Sequence, residues 1–172
     1  MILRAKSLLC AGVVVLALAQ TAPVAEPARQ TAGGLATKKA LTLKVAKEIA
    51  AASGRFAQQN KWNVVISIVD DGGHLIYFER MDGVQTGSIE LAIRKAKTAA
   101  AFKRPTRLFE EDVAKGRTSL VALPGGMPFE GGVPITIDNE VIGAVGVSGG
   151  TAQQDGTVAQ AGVDALFKII GR

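Results

Sequence analysis

The chain is poor in the residues that build metal centres and covalent cross-links. Of its 172 residues, one is cysteine, Cys10, and one is histidine, His74. A single thiol makes no intrachain disulfide, no C-x-x-C redox pair and no zinc ribbon, and a single imidazole excludes a two-histidine metal site within one chain. Aromatic residues make up 5%, with one Trp and one Tyr. No basic run is interleaved with them, so neither a base-stacking platform nor a phosphate-tracking groove is visible, and nucleic acid is not an expected partner. No apolar run reaches the ~20 residues that a spanning helix needs. What remains is 48% hydrophobic and 20% charged, with 20 Gly and 6 Pro. That is the make-up of a globular domain resting on its core.

The amino terminus carries Arg4 and Lys6, then an apolar run from Leu8 to Ala19 that ends in the small-residue triplet Ala17-Leu18-Ala19. This is the pattern of a secretory signal peptide over 1–19, and a dozen apolar residues cover only about 18 Å of a ~30 Å hydrocarbon core. The expected product is periplasmic or secreted, without a stable membrane anchor, and Cys10 leaves with the signal. Setting aside Arg4 and Lys6 reduces the 20 basic residues to 18 against 15 acidic, a charge of about +3. Residues 20–40, rich in Ala, Pro, Thr and Gly, read as a flexible leader, and 41–172 as the domain.

Within the domain, Leu41, Val45, Ile49, Ala52 and Phe56 recur at helical spacing to about Asn60, with Thr42 as a cap. Asn63 to Asp70 and His74 to Arg80 form a β-hairpin around Asp71-Gly72-Gly73. Ser88 to Phe102 is helical and is stopped by Pro105, after which Thr106 to Lys115 forms a short helix. Thr118 to Gly132 reads as a long loop. Val133 to Asp138 and Val141 to Ser148 make a second hairpin, and a last helix runs from about Asp155 to Ile170. The order α-β-β-α-α-β-β-α, with hairpins in place of crossovers, predicts an α+β domain with a largely antiparallel sheet and flanking helices.

Several features invite chemistry. Gly146-Val147-Ser148-Gly149-Gly150 fits G-x-S-x-G, but a nucleophile elbow needs a parallel sheet and a downstream histidine, and the only histidine lies upstream. On a helical wheel with Ser88 at zero, Lys95 falls near 340°, on the border of the apolar face, while Arg94 and Lys97 face solvent. Lys95 either snorkels to solvent or presents its ammonium to a cleft, where it fixes an anion or acts as a base. His74 opens a strand after a glycine pair, as a polar edge residue or as a metal or haem-iron ligand. Met81, Met127 and Tyr77 are other possible axial donors. Adjacent Asp70 and Asp71 point to opposite faces and serve the turn.

Five strings in order resemble one family. They are Val69-Asp70-Asp71-Gly72-Gly73-His74-Leu75, Arg80-Met81-Asp82-Gly83, Ser88 with Lys95-Ala96-Lys97-Thr98-Ala99, Gly131-Gly132-Val133-Pro134-Ile135, and Ile142 to Gly150 followed by Gln154-Asp155. From about Leu41 onward the chain is similar to the GlcG/HbpS-like family. That family includes exported haem-binding proteins, the GlcG proteins of glycolate-utilisation operons, and the carboxy-terminal domain of PduO-type cobalamin adenosyltransferases. The resemblance implies a profilin-like layered domain that assembles into homo-oligomers, with haem as cofactor. It also implies a haem contact at a threonine after the glycine pair, where this chain has Val133. That departure leaves His74 as the candidate for the iron.

Two readings follow. In one, an exported haem or tetrapyrrole binder, acting in uptake, sensing or breakdown, places iron on His74 or a methionine, with Lys95 or Arg80 meeting a propionate. In the other, a cofactor-free enzyme or binding protein holds a small organic acid with Lys95 and Arg80 while Asp82 or Asp155 moves a proton. No catalytic residue is assigned. The motifs place a cleft where the Gly125 to Pro134 loop, the start of the Ser88 helix and the Ser148 to Asp155 turn converge. There Gly131 and Gly132 admit backbone close to a ligand, and Ser148 donates to an anionic group.

Overall fold

The computed structural model describes residues 34–171. Residues 1–19, read above as a signal peptide, and most of 20–40, read as a leader, lie outside the described residues. From Lys38 onward the chain forms one compact unit. It contains, among the described residues, helices α1 (Leu43–Gln59), α2 (Ser88–Phe102), α3 (Arg107–Ala114) and α4 (Ala152–Ile169), and strands β1 (Val65–Asp70), β2 (Leu75–Arg80), β3 (Gly132–Ile137) and β4 (Glu140–Ser148). A short 3-10 turn over Thr118–Ala122 interrupts the stretch expected to be loop. No helix among the described residues is long and apolar enough to cross a membrane.

The sheet order is β2-β1-β4-β3, antiparallel throughout. The two hairpins are therefore joined through their β1 and β4 strands, and β2 and β3 form the edges. Pro134 is tolerated because β3 is an edge. Strand alternation gives the sheet two unlike faces. Ile66, Ile68, Val133, Ile135, Val145 and Val147 point to one side and pack with Ile49, Val158 and Leu166 of α1 and α4. Val69 and Ala144 point to the other side, against Ala96, Ala99 and Ala100 of α2.

That second face is built of small residues, which lets α2 lie close to the sheet. A Cβ at Gly146 would collide with the Ala92 carbonyl, and the buried Ser67 hydroxyl donates to that same carbonyl at 2.9 Å. The serine in a buried strand is thus satisfied by the helix it faces. The two helices of this layer, α1 and α4, are each capped by a threonine at the N-terminus. Thr42 Oγ1 accepts from Val45 N, and Thr151 with Gln154 forms a reciprocal capping box that starts α4 three residues before the predicted Asp155.

Candidate functional site

The site is built where α2, β4, α4 and the start of β3 meet. Lys95 sits in the middle of α2 and is 3% exposed, so it does not snorkel to solvent. Its Nζ donates to Asp155 Oδ2 at 2.7 Å and to the Val147 carbonyl at 3.1 Å. Asp155, 2% exposed in the first turn of α4, accepts a further bond on Oδ1 from Gly150 N at 2.9 Å. Burial pushes the Asp155 carboxyl up from its ordinary range, against the pull of the Lys95 ammonium and the glycine amides.

Gly131 lies directly over this pair. It has φ +127°, and a Cβ there would stand 2.6 Å from the Val147 carbonyl and 2.8 Å from Lys95 Nζ. Only glycine meets both demands. Its carbonyl accepts from Val147 N at 2.8 Å, so Val147 holds Gly131 with its amide and Lys95 with its carbonyl. Gly132 is fixed from the other side. Its amide donates to Thr106 Oγ1 at 2.8 Å and its carbonyl accepts from Thr106 N at 2.9 Å. Hydrogen bonds thus tie β4 and the start of α3 to one dipeptide.

Above the glycines opens a cavity of about 290 Å³, lined by Arg107, Glu130, Gly131, Gly132, Val133 and Gln160 among others. This cavity takes Gly131, Gly132 and Val133 from the loop expected to frame a cleft, with Lys95 and Asp155 packed against Gly131, but neither the start of α2 nor the Ser148 to Asp155 turn lines it. The expectation of an ammonium open to that cleft is not met. Lys95 is enclosed by its own partners and supports the floor. Glu130, raised by burial and by nearby Glu110, packs its carboxylate on α4 where Gly156 leaves room.

The other predicted residues lie elsewhere. Ser148 is buried at the end of β4, paired across the sheet with Val65, which also pairs with Arg80 on β2. Two strand spacings, about 10 Å, separate Arg80 from Ser148. The Arg80 guanidinium donates to the Val84 carbonyl at 3.1 Å, Asp82 is exposed in the following turn, and Ser88 is 1% exposed with its hydroxyl unpartnered in the protein. These three belong to the β2–α2 connection.

His74 is at the opposite end of β1, five residues and roughly 16 Å from the Val65 row. Its side chain is 83% exposed, its amide donates to Asp70 Oδ1 at 2.8 Å, and Nδ1 lies 3.2 Å from Asp70 Oδ2. Partial burial pushes the Asp70 carboxyl up, but the His74 amide and ring and the Gly72 amide outweigh it and hold the group below its ordinary value. The distance from Ser148 to His74, together with the antiparallel sheet, disposes of a nucleophile elbow.

A family model described as "Haem degrading protein HbpS-like" matches residues 41–164. The chain belongs to the HbpS-like family. Protein GlcG of Escherichia coli K12 is 45% identical over 112 residues, covering 65% of this chain and 84% of that protein. Among solved structures, a double mutant of Streptomyces reticuli HbpS superposes with TM-score 0.72 at 30% identity, over 84% of this chain and 99% of that one. A structure named PduOC:Heme Complex superposes with TM-score 0.67 at 33% identity, over 74% and 95%. The α+β architecture read from the hairpin order is the architecture of this family.

Proposed function

We propose that the protein is an exported, self-associating binder of haem or a related tetrapyrrole. The observation that carries this reading is the likeness to PduOC, solved as a haem complex, across three quarters of the chain. The family description points the same way. Export rests on the amino-terminal pattern of basic residues, apolar run and Ala17-Leu18-Ala19. Self-association is supported by β2, an edge strand whose Leu75 is exposed and whose Ile76, Tyr77 and Phe78 are half-buried, an unprotected template for a second strand.

The donors available fit an iron porphyrin by their chemistry. His74 offers an exposed imidazole, and Met81 and Met127 offer thioethers. When bound, the iron centre supplies the redox and ligand chemistry, and the protein's part is to hold the ring and neutralise its propionates. A haem titration followed at the Soret band, repeated with His74→Ala, tests the reading. Saturable binding is expected, and its absence in the wild type would end the proposal.

A second reading is favoured by one dimension of the site. The glycine-framed cavity, at about 290 Å³, falls at the lower edge of the roughly 300–1,000 Å³ that drug-sized ligands occupy. A small organic acid fits it, with Arg107 as the cation in its wall. A thermal-shift screen of short mono- and dicarboxylic acids, with and without Arg107→Ala, tests that alternative.

A further inference from the structure

We propose that the hollow at the end of the sheet, where the α1–β1, β2–α2 and β4–α4 connections meet, is a binding site for an acidic monosaccharide of the uronic-acid class. It is separate from the glycine-framed cavity and does not depend on the haem reading. Its volume is about 300 Å³, at the small end of ligand pockets and suited to a single sugar ring. Lys61, Trp62, Asn63, Gln85 and Gln154 contribute to its walls. Two sequence motifs that the glycine-framed cavity does not take up arrive here together, one through Asp82-Gly83 and the other through Ser148-Gly149-Gly150.

The wall carries one charge, and it is positive. Lys61 forms no ion pair among the described residues, and no carboxylate lines the hollow. Arg80, whose guanidinium donates to the carbonyl of the wall residue Val84 at 3.1 Å, likewise has no carboxylate partner among the described residues. Asp82, beside Gly83, is exposed and does not belong to the lining. This charge selects an anion. Three carboxamides select its other groups. A primary amide both donates and accepts, which matches hydroxyls, whereas a bare carboxylate or sulfate offers acceptors only. Asn63 and Gln85 make no side-chain hydrogen bond among the described residues, and Gln154 uses only its carbonyl, which accepts from Thr151 N at 2.9 Å. Trp62 supplies flat apolar surface for the C–H face of a ring, and its indole N–H has no protein acceptor among the described residues.

The walls are set before a ligand arrives. Asn60 caps α1, and Lys61, at φ +59°, turns the chain so that Trp62 N donates back to the Ala57 carbonyl at 2.9 Å. Phe56 braces the indole edge-on, with ring centroids 6.3 Å apart. Gly149, at φ +148°, lets the opposite wall close in, since a Cβ there would stand 2.5 Å from the Asn63 carbonyl and 2.8 Å from Val64 Cα. Gly150 is tethered by its amide to Asp155 Oδ1 at 2.9 Å, so the buried Lys95–Asp155 pair holds the turn that lines the hollow.

The test is a titration of the purified protein with D-glucuronate, read by tryptophan emission and by calorimetry. Trp62 is the chain's one tryptophan, so its emission reports on this wall without a label. D-glucose, acetate and sulfate are the comparison probes, and Lys61→Gln and Gln85→Ala run in parallel. Both substituted residues are exposed, and thermal melting checks that the fold is kept. The expected result is a saturable change in emission, with a dissociation constant raised about tenfold or more by Lys61→Gln and by replacing glucuronate with glucose, and severalfold by Gln85→Ala. Glucose binding as tightly as glucuronate would overturn the acidic assignment. Acetate or sulfate displacing glucuronate at equal concentration would reduce the hollow to a general anion site and overturn the sugar. Saturable heat without any change in emission, and without sensitivity to Lys61→Gln, would place the ligand elsewhere and overturn the site. Neither heat nor emission change in the wild type would end the proposal and leave the haem reading as it stands.

Discussion

Replacing Lys95 by methionine removes one member of the most deeply buried ion pair in the described structure. Methionine matches the lysine stem in length and apolar character, so packing along α2 is largely kept. What is lost is the ammonium, and Asp155, 2% exposed, is left with the Gly150 amide but no counter-charge. Breaking a buried pair from one side costs about 3–5 kcal/mol. That is a large share of the ~5–15 kcal/mol that holds a typical domain together. For a unit of this size the melting temperature should fall by roughly 10–20 °C at pH 7.

The pH dependence separates electrostatics from packing. Asp155 already has its folded-state carboxyl raised by burial, and loss of Lys95 raises it further. A carboxyl whose folded value lies above the unfolded ~3.9 binds its proton more tightly when folded, so its contribution to stability falls as pH rises through that interval and recovers on acidification. The melting gap between Lys95→Met and wild type should therefore narrow as the pH is lowered from 7, because the variant's Asp155 takes up its proton before the wild type's does. Differential scanning calorimetry at three pH values measures it. A gap below about 2 °C at pH 7, or one that widens on acidification, would refute the reasoning.

Three further outcomes are expected. Gly131→Ala should lower stability by more than 2 kcal/mol in chemical denaturation, because it combines a positive φ with contacts of 2.6 Å to the Val147 carbonyl and 2.8 Å to Lys95 Nζ. Unchanged midpoints would mean that the Gly131 backbone relaxes freely. Asp70→Asn keeps an acceptor for the His74 amide but removes the charge. Since Asp70 titrates low when folded, its contribution is present above the unfolded value and lost as pH falls through the folded one, and with a side chain 34% exposed it is worth at most ~1 kcal/mol. A stability difference that persists at pH 2 would contradict that assignment. Thr151→Ala opens the α4 capping box and should cost ~1 kcal/mol, read as a lower melting temperature, with no cost if the box is idle.

The elements with strong local signals were legible from composition and spacing. The wheel of α2 placed its alanines on the sheet and Arg94 and Lys97 in solvent, as they are found. The first hairpin announced itself by Asp71-Gly72-Gly73, and the second turns at Asp138 and Asn139, both with positive φ. What local patterns do not encode is that β1 and β4 are neighbours, a pairing of residues nearly eighty positions apart. Lys95 shows the same limit. Its border angle on the wheel allowed snorkelling or an ammonium open to a cleft, yet the backbones of Gly131, Gly132 and Gly146 close over the helix where larger side chains would have held it off. The early start of α4 was signalled by Thr151 and Gln154 at capping-box spacing, which outweighs the polar run that obscured it.

The most direct test of the account is the absorbance titration of the purified wild-type protein with haem, carried past one equivalent per chain. The account predicts a Soret shift that saturates at a fixed ratio of haem to protein. Absorbance that climbs linearly without a break, as for haem partitioning onto an indifferent surface, would contradict it.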